Sequence, residues 1–353
     1  MASVPTQRSA ANAPRLIVAG ATGFTGALAA HLLWRHPQFE LVAVTGRSEV
    51  GRTLQDVYPR YRVPLSFQEL DVESLDGIDA AVVAYPHAAA APTVAALRER
   101  GIRVVDLSAD FRLRSLESYE HWYGEHPRPQ LLDQAVYGLT ELHREQIAGA
   151  AIVANPGCYP TASLLALAPL ARAGLIADLV IDAKQGISGA GRVFDETTHL
   201  SMAGENIVPY KVAAHRHTPE IEEQLTQLAP AAPAQAARAA LKVQFQAHLV
   251  PLDQGEMVSC YVTTTRAVNA AELRELYREA YAEEPFVELM LEHPPGVLEV
   301  RETNYCRVFA AADEHTGKVI AFGAIDNLWK GTSSQAVQNL NLMFGYPETL
   351  GLT

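Results

Sequence analysis

The chain has 353 residues, 48% hydrophobic and 19% charged, a composition that allows two domains of ordinary size with their own cores. Its 28 basic and 40 acidic side chains leave a net charge of −12, a field that repels nucleic-acid phosphates and anionic membranes and excludes both as expected partners. Three scattered cysteines with no CxxC pair exclude a disulfide framework and suit a reducing cytoplasm, and no apolar run reaches the 18 residues of a membrane span.

Residues 1–14 are small and polar, lack the apolar centre of a signal peptide, and are expected to form a disordered tail. RLIVAG (15–20) then reads as a buried parallel strand whose glycine opens a turn, followed by a helix over 25–35. Strands are expected at 39–46, 78–86, 102–108 and 150–156, with a helix at 91–101. Strand and helix in alternation imply an α/β fold with a doubly wound parallel sheet, a Rossmann dinucleotide-binding domain. Beyond residue 175 the strands lengthen: 178–186, 241–251, 256–266, 305–313 and 318–326, with helices at 160–173 and 270–282. Their partial two-residue alternation implies a mixed or antiparallel sheet covered on one face. The segment 228–240 reads as a loop or weak helix, and the last element is a helix within 332–345. The domain boundary is expected near Asn155.

GATGFTG (20–26) sits between a strand and a helix, where glycines let the backbone approach a diphosphate and the helix N-terminus offers free N–H groups. Its spacing is GxxGxxG rather than GxGxxG, and a tight turn without a ligand is the alternative, but the strand–turn–helix context favours cofactor binding. No carboxylate stands at the end of the second strand. Arg47 and Ser48 stand there instead, suited to a 2′-phosphate and so to NADP(H), although Arg47 also suits a solvated loop.

NPGCYPT (155–161) places Cys158 where a strand ends and a helix opens, a position expected to lower a thiol pKa and to favour attack on an acyl group. Asn155 is suited to orienting this loop. Cys260 and Cys306, inside apolar strands, read as inert. The segment 206–225 carries Lys211, His215, Arg216 and His217 ahead of a helix expected to be capped by Thr218. An imidazole suits proton transfer near neutral pH, and the cations suit phosphate or carboxylate, yet a solvated basic loop fits the pattern as well. SGAGR (188–192) is a second glycine turn, suited to a ligand or to tight turning alone. In DLSADFR (106–112), Arg112 suits either a ligand or a structural ion pair with Asp106 or Asp110.

Together GATGFTG, DLSADFR, NPGCYPT, SGAGR, HRHTPE and IDNLWKGTSSQAVQNLN, in order from residue 15 onward, resemble the N-acetyl-gamma-glutamyl-phosphate reductase family of arginine biosynthesis. The resemblance implies a Rossmann domain over 15–154 and 327–353. It also implies an α+β catalytic and oligomerisation domain of the glyceraldehyde-3-phosphate dehydrogenase type over 155–326. It implies Cys158 as nucleophile and His217 as acid–base, with no metal. The NADP(H) site it implies comprises Gly20, Thr22, Gly23, Phe24, Thr25, Gly26, Arg47 and Ser48, with Ser188, Gly189, Gly191 and Asn327 near the cofactor. Substrate contacts are implied for Asn155, Arg112, Lys211 and His215. The expected substrate is a small acyl phosphate, and the expected assembly a homodimer or homotetramer. A related branch acts on carrier-bound aminoadipyl phosphate in lysine biosynthesis and carries Gly-Cys-Asn at its nucleophile. Tyr159 and Pro160 after Cys158 side with the arginine branch. A non-catalytic NADP-binding regulator is the reading from another class.

Overall fold

The computed structural model describes residues 12–192, 198–230 and 241–353. The expected tail lies outside them up to residue 11, as does the expected loop or weak helix from residue 231 onward. The chain divides into two compact units, one running to Pro156 and resuming at Thr332, the other spanning Gly157–Gly331.

The first unit carries strands β1 (Arg15–Ala19), β2 (Glu40–Thr45), β3 (Phe67–Gln68), β4 (Ala80–Val83), β5 (Arg103–Asp106), β6 (Ala135–Tyr137) and β7 (Ile152–Ala154). Its helices before the boundary are α1 (Phe24–Arg35), α2 (Leu54–Val57), α3 (Ala90–Glu99), α4 (Leu116–Tyr123) and α5 (Thr140–Ala148). The strands form one parallel sheet in the order β3-β2-β1-β4-β5-β7-β6. Leu16, Ile17, Val18 and Ala19 of β1 and all four residues of β4 are fully buried, as a strand covered on both faces requires. One core layer joins Ile17, Val83 and Val104 of the sheet to Val94 and Leu97 of α3. The strand order reverses at the β1–β4 pair, so the carboxyl end of β1 is the place where such a sheet offers a ligand crevice.

The second unit carries β8 (Ile176–Gly186), β9 (Val208–Tyr210), β10 (Val243–Val250), β11 (Glu256–Thr264), β12 (Val287–Leu289), β13 (Cys306–Asp313) and β14 (Lys318–Ile325). Its helices are α6 (Cys158–Arg172), α7 (Leu200–Ala203), α8 (Thr218–Leu228) and α9 (Ala270–Tyr281). The sheet order is β12-β13-β14-β11-β8-β10-β9. Its pairs are antiparallel except β8–β10 and β12–β13. Helix α6 packs on β11 and β14 and touches α8 and α9, and every residue from Tyr159 to Ala171 is buried. Pro169 lacks the N–H that would bond the Leu165 carbonyl, and the hydroxyl of Tyr281 on α9 donates to that carbonyl instead. Cys260 and Cys306 are fully buried in β11 and β13, as inert core cysteines are.

The final helix, α10 (Ser334–Met343), belongs to the first unit and is buried despite its polarity. Asn339 shows why this is tolerable: its Nδ2 donates to the Gly138 carbonyl at 2.8 Å, and its Oδ1 accepts from the Thr140 hydroxyl at 3.1 Å. Among the described residues no helix is long and apolar enough to cross a membrane.

Candidate active site

Cys158 is the first residue of α6, with Gly157 as its N-cap and partial solvent exposure. The cap is held from α8, where the buried carboxylate of Glu220 accepts the Gly157 N–H at 2.9 Å. The sulfur accepts a hydrogen bond from Gln185 Nε2 at 3.0 Å and from the Tyr159 backbone N–H. Gln185 is the last polar residue of β8, directly opposite Glu256 at the start of β11, and its Nε2 also donates to Glu256 Oε2 at 2.9 Å. The expected depression of the thiol pKa does not hold. Desolvation by the surrounding protein and then the Glu256 carboxyl push it well above its ordinary value, and the two N–H donors oppose them without prevailing. The Tyr159 N–H at the helix start does favour the thiolate, but burial and the neighbouring acid outweigh it.

His217 stands at the start of α8. It is the N-cap of that helix, so the cap lies one residue before the expected Thr218, and no side-chain capping bond forms there. Its ring meets Tyr159 edge-on at 5.8 Å between centroids, and Tyr159 follows Cys158 directly. His215 packs against His217 at 4.9 Å and accepts the His217 backbone N–H on Nδ1 at 3.2 Å. Burial among Tyr159, Tyr210 and Phe245 lowers the pKa of His215 to about 3, so it is a neutral packing ring near neutral pH. Lys211 is exposed, in left-handed backbone at φ 46°, with its pKa lowered by partial desolvation and by Arg216. Left-handed Lys211 and Ala213 lead into the histidines, a local strain of the sort that accumulates at functional loops.

The second glycine turn supports Gln185. A Cβ on Gly189 would overlap the Gln185 amide, so only glycine lets that amide lie where it meets Cys158 and Glu256. Ser188 Oγ donates to the Asp253 carbonyl at 2.6 Å and receives Asn327 Nδ2 at 3.1 Å, while Asn327 Oδ1 takes the Gly255 N–H at 2.8 Å. Ser188 and Asn327 therefore tie the turn to the loop that leads into Glu256.

In the first unit, the turn after β1 fits a dinucleotide phosphate. A Cβ on Gly26 would overlap the Gly20 carbonyl oxygen and lie 2.9 Å from the Ala21 Cα, so the helix start presses directly on the turn. A Cβ on Gly23 would meet nothing within 4 Å. Gly23 is the N-cap of α1 and makes no side-chain capping bond to the first N–H groups of the helix, those of Phe24, Thr25 and Gly26. Thr22 packs on the other side of the turn, where Tyr58 donates its hydroxyl proton to the Thr22 carbonyl at 2.8 Å. Arg47 and Ser48 are exposed just past the end of β2.

Arg112 and Asn155 are placed as braces. Arg112 is 6% exposed, and it donates Nε to the Asn155 carbonyl and Nη2 to the Leu107 carbonyl, each at 2.8 Å. Asn155 is fully buried, donates Nδ2 to the Thr332 carbonyl at 3.1 Å and accepts Asn339 Nδ2 on Oδ1 at 3.1 Å. These bonds tie Arg112 to the backbone of Leu107 and Asn155, and Asn155 to Thr332 and Asn339. Among the described residues no cluster of three or more His, Cys, Asp or Glu is arranged to hold a metal.

Sequence reasoning missed Gln185, Glu220 and Glu256. Glu220 stood in the HRHTPE motif, and Glu256 is a lone carboxylate opening an apolar strand, a visible oddity. Gln185 carried no signal, since its role depends on the strand register.

A parallel nucleotide-type sheet, a second mixed sheet and a cysteine opening a buried helix define the semialdehyde dehydrogenase class. A family model described as semialdehyde dehydrogenase, NAD binding domain, matches residues 15–150, and one described as semialdehyde dehydrogenase, dimerisation domain, matches 158–327. Aspartate semialdehyde dehydrogenase II from Vibrio cholerae shares the fold, with a TM-score of 0.71 at 19% identity over 95% of this chain and 99% of that one. The Candida albicans aspartate semialdehyde dehydrogenase solved with NADP gives 0.70 at 17% identity, over 94% of this chain and 99% of that one. The N-acetyl-gamma-glutamyl-phosphate reductases of Moorella thermoacetica and Desulforudis audaxviator are 46% and 48% identical, each over 95% of this chain and 96% of the relative. The chain belongs to the N-acetyl-gamma-glutamyl-phosphate reductase family.

Proposed function

We propose that this chain reduces N-acetyl-L-glutamyl 5-phosphate to N-acetyl-L-glutamate 5-semialdehyde and phosphate with NADPH, in arginine biosynthesis, as a cytoplasmic homodimer or homotetramer. The observation that carries the chemistry is Cys158 at the first position of α6, its sulfur held by Gln185 beside the His217 loop. The thiol gives up its proton to a neighbouring acceptor as the sulfur attacks the acyl carbon, the C–O bond to phosphate breaks with its electron pair leaving on phosphate, and a thioester remains on Cys158. NADPH, when bound, supplies the hydride that reduces the thioester carbon. His217 gives a proton to the resulting oxyanion and takes it back as the thiohemiacetal collapses to the aldehyde. The positive end of the α6 dipole, at Cys158, is suited to steadying that oxyanion. Lys211, an exposed cation in the same loop, is suited to the substrate's phosphate or carboxylate. His215 acts by holding His217, and Arg112 by holding the Asn155 carbonyl. In the first unit, the N–H groups at Phe24, Thr25 and Gly26 would hold the NADP diphosphate, and Arg47 with Ser48 its 2′-phosphate.

The test is NADP reduction by purified protein with N-acetylglutamate semialdehyde, with and without phosphate. Phosphate-dependent reduction is expected, with a loss of at least about 10³-fold in Cys158→Ser. Reduction only with carrier-bound aminoadipate semialdehyde would move the chain to the lysine branch. Cofactor binding without turnover of either aldehyde would favour the regulator.

A further inference from the structure

Glu256 is the polar group nearest the chemistry that the reaction above leaves without a task. It opens β11 with zero exposure, and among the described residues no lysine or arginine pairs with it. One carboxyl oxygen, Oε2, takes the Gln185 amide at 2.9 Å, while the other, Oε1, is buried without a hydrogen-bond donor. The same Gln185 nitrogen holds the Cys158 sulfur at 3.0 Å, so one amide clamps the acid and the thiol side by side. A buried acceptor with an empty lone pair is costly, and it persists where function needs a place for a proton.

We propose that Glu256 accepts the Cys158 thiol proton as the sulfur attacks, the two side chains acting as one proton-sharing pair clamped by Gln185. This rests on Cys158 being the nucleophile of the proposed reaction. In the forward direction the S–H bond breaks and its proton passes to Glu256. The S–C bond forms, and the C–O bond to phosphate breaks with its electron pair leaving on phosphate. When the thiohemiacetal collapses, the S–C bond breaks and Glu256 returns the proton to sulfur. His217 then serves the carbonyl oxygen alone. The ionisable groups that bear on the pair are Asp326, Tyr159 and Tyr210. Asp326 accepts N–H bonds from Glu302, Leu328 and Trp329, and its carboxylate raises the Glu256 pKa further. Both tyrosines are held neutral by burial. Burial lifts Glu256 to about 8, which matches a proton acceptor working near neutral pH.

The experiment is the pH dependence of Cys158 alkylation by iodoacetamide in wild type and Glu256→Gln. Cys260 and Cys306 are buried, so the reaction reports Cys158. A proton-sharing pair titrates as a unit, so the wild-type rate is expected to level off above about pH 8. Without the carboxyl the rate keeps rising about tenfold per pH unit, which makes E256Q about tenfold faster at about pH 9. Superimposed profiles would overturn the pair. In turnover, E256Q is expected to lose about 10²- to 10⁴-fold in kcat. Unchanged kcat would overturn the proton-accepting role even if the profiles differ. Should wild type fail on N-acetylglutamate semialdehyde, the substrate reading fails and the alkylation profiles still decide the pair. Should E256Q not fold, the carboxylic-acid C=O band of wild type carries the test. It should titrate near pH 8 and move upward in Cys158→Ala, because contact with sulfur lowers the acid's pKa. A wild-type midpoint below about pH 6 would overturn the proposal.

Discussion

The chain has two glycine turns that look alike on paper, GATGFTG at 20–26 and SGAGR at 188–192, and the fold uses them in opposite ways. In the first, a Cβ on the middle glycine would meet nothing within 4 Å and the outer ones allow backbone to press on backbone, an arrangement suited to a ligand that approaches from outside. In the second, the missing side chain is filled by protein: the Gln185 amide occupies the volume where a Gly189 Cβ would be. A glycine-rich turn at a strand end thus has two causes. One is a ligand that must come close, and the other is a neighbouring side chain that must be placed. Only the atoms around the absent Cβ tell them apart.

The largest effect should come from Gly26→Ala. Its Cβ would overlap a backbone carbonyl that cannot swing aside, so a loss of about 3 kcal/mol or more in stability is expected, read by denaturant unfolding. Gly23→Ala in the same turn should cost under about 1 kcal/mol in stability and still weaken NADP binding, because its Cβ enters open space. If the two variants unfold alike, the first turn is not backbone-packed in the way described. Gly189→Ala should fall between them in stability, about 1–2 kcal/mol, because its obstacle is the end of a flexible side chain. The displaced amide would release Cys158 and Glu256, so kcat should drop about tenfold or more with NADP affinity retained. Weakened NADP binding with normal kcat would mean that the second turn also serves a ligand.

The same contrast explains what was legible in the sequence. Strands such as 15–20 and 241–251 declare themselves, the first by continuous apolarity and the second by an inside–outside alternation that the burial of β10 (Val243–Val250) follows residue by residue. The motifs around Cys158 and His217 were legible because proline, glycine and cysteine make local demands. Helix α5, with the polar sequence TELHREQIA, and the two- and three-residue strands β3, β6, β9 and β12 escaped notice, because tertiary pairing rather than local pattern holds them. The pairing of Gln185 with Glu256 was hidden for the same reason. The two lie 71 residues apart, and only the β8–β11 register sets them opposite each other. The raised thiol pKa of Cys158 comes first from burial and then from Glu256, neither of which the helix start alone discloses, so the local argument pointed the wrong way.

The smallest effect asked of the comparison is at the edge of the first turn. Arg47 is exposed past β2, so removing it should leave stability within about 0.5 kcal/mol. If it grips a 2′-phosphate, Arg47→Ala should weaken NADP by about 1–2 kcal/mol, roughly five- to thirtyfold, and leave NAD affinity nearly unchanged, because NAD lacks that phosphate. Titrating both nucleotides into wild type and variant separates this from a general field effect, which would weaken both alike. An equal loss for the two would leave the glycine turn as the phosphate site and remove Arg47 from the choice of cofactor. A selective loss would show that this outward-facing turn reaches its ligand through two elements, the helix N-terminus for the diphosphate and the end of β2 for the ribose phosphate.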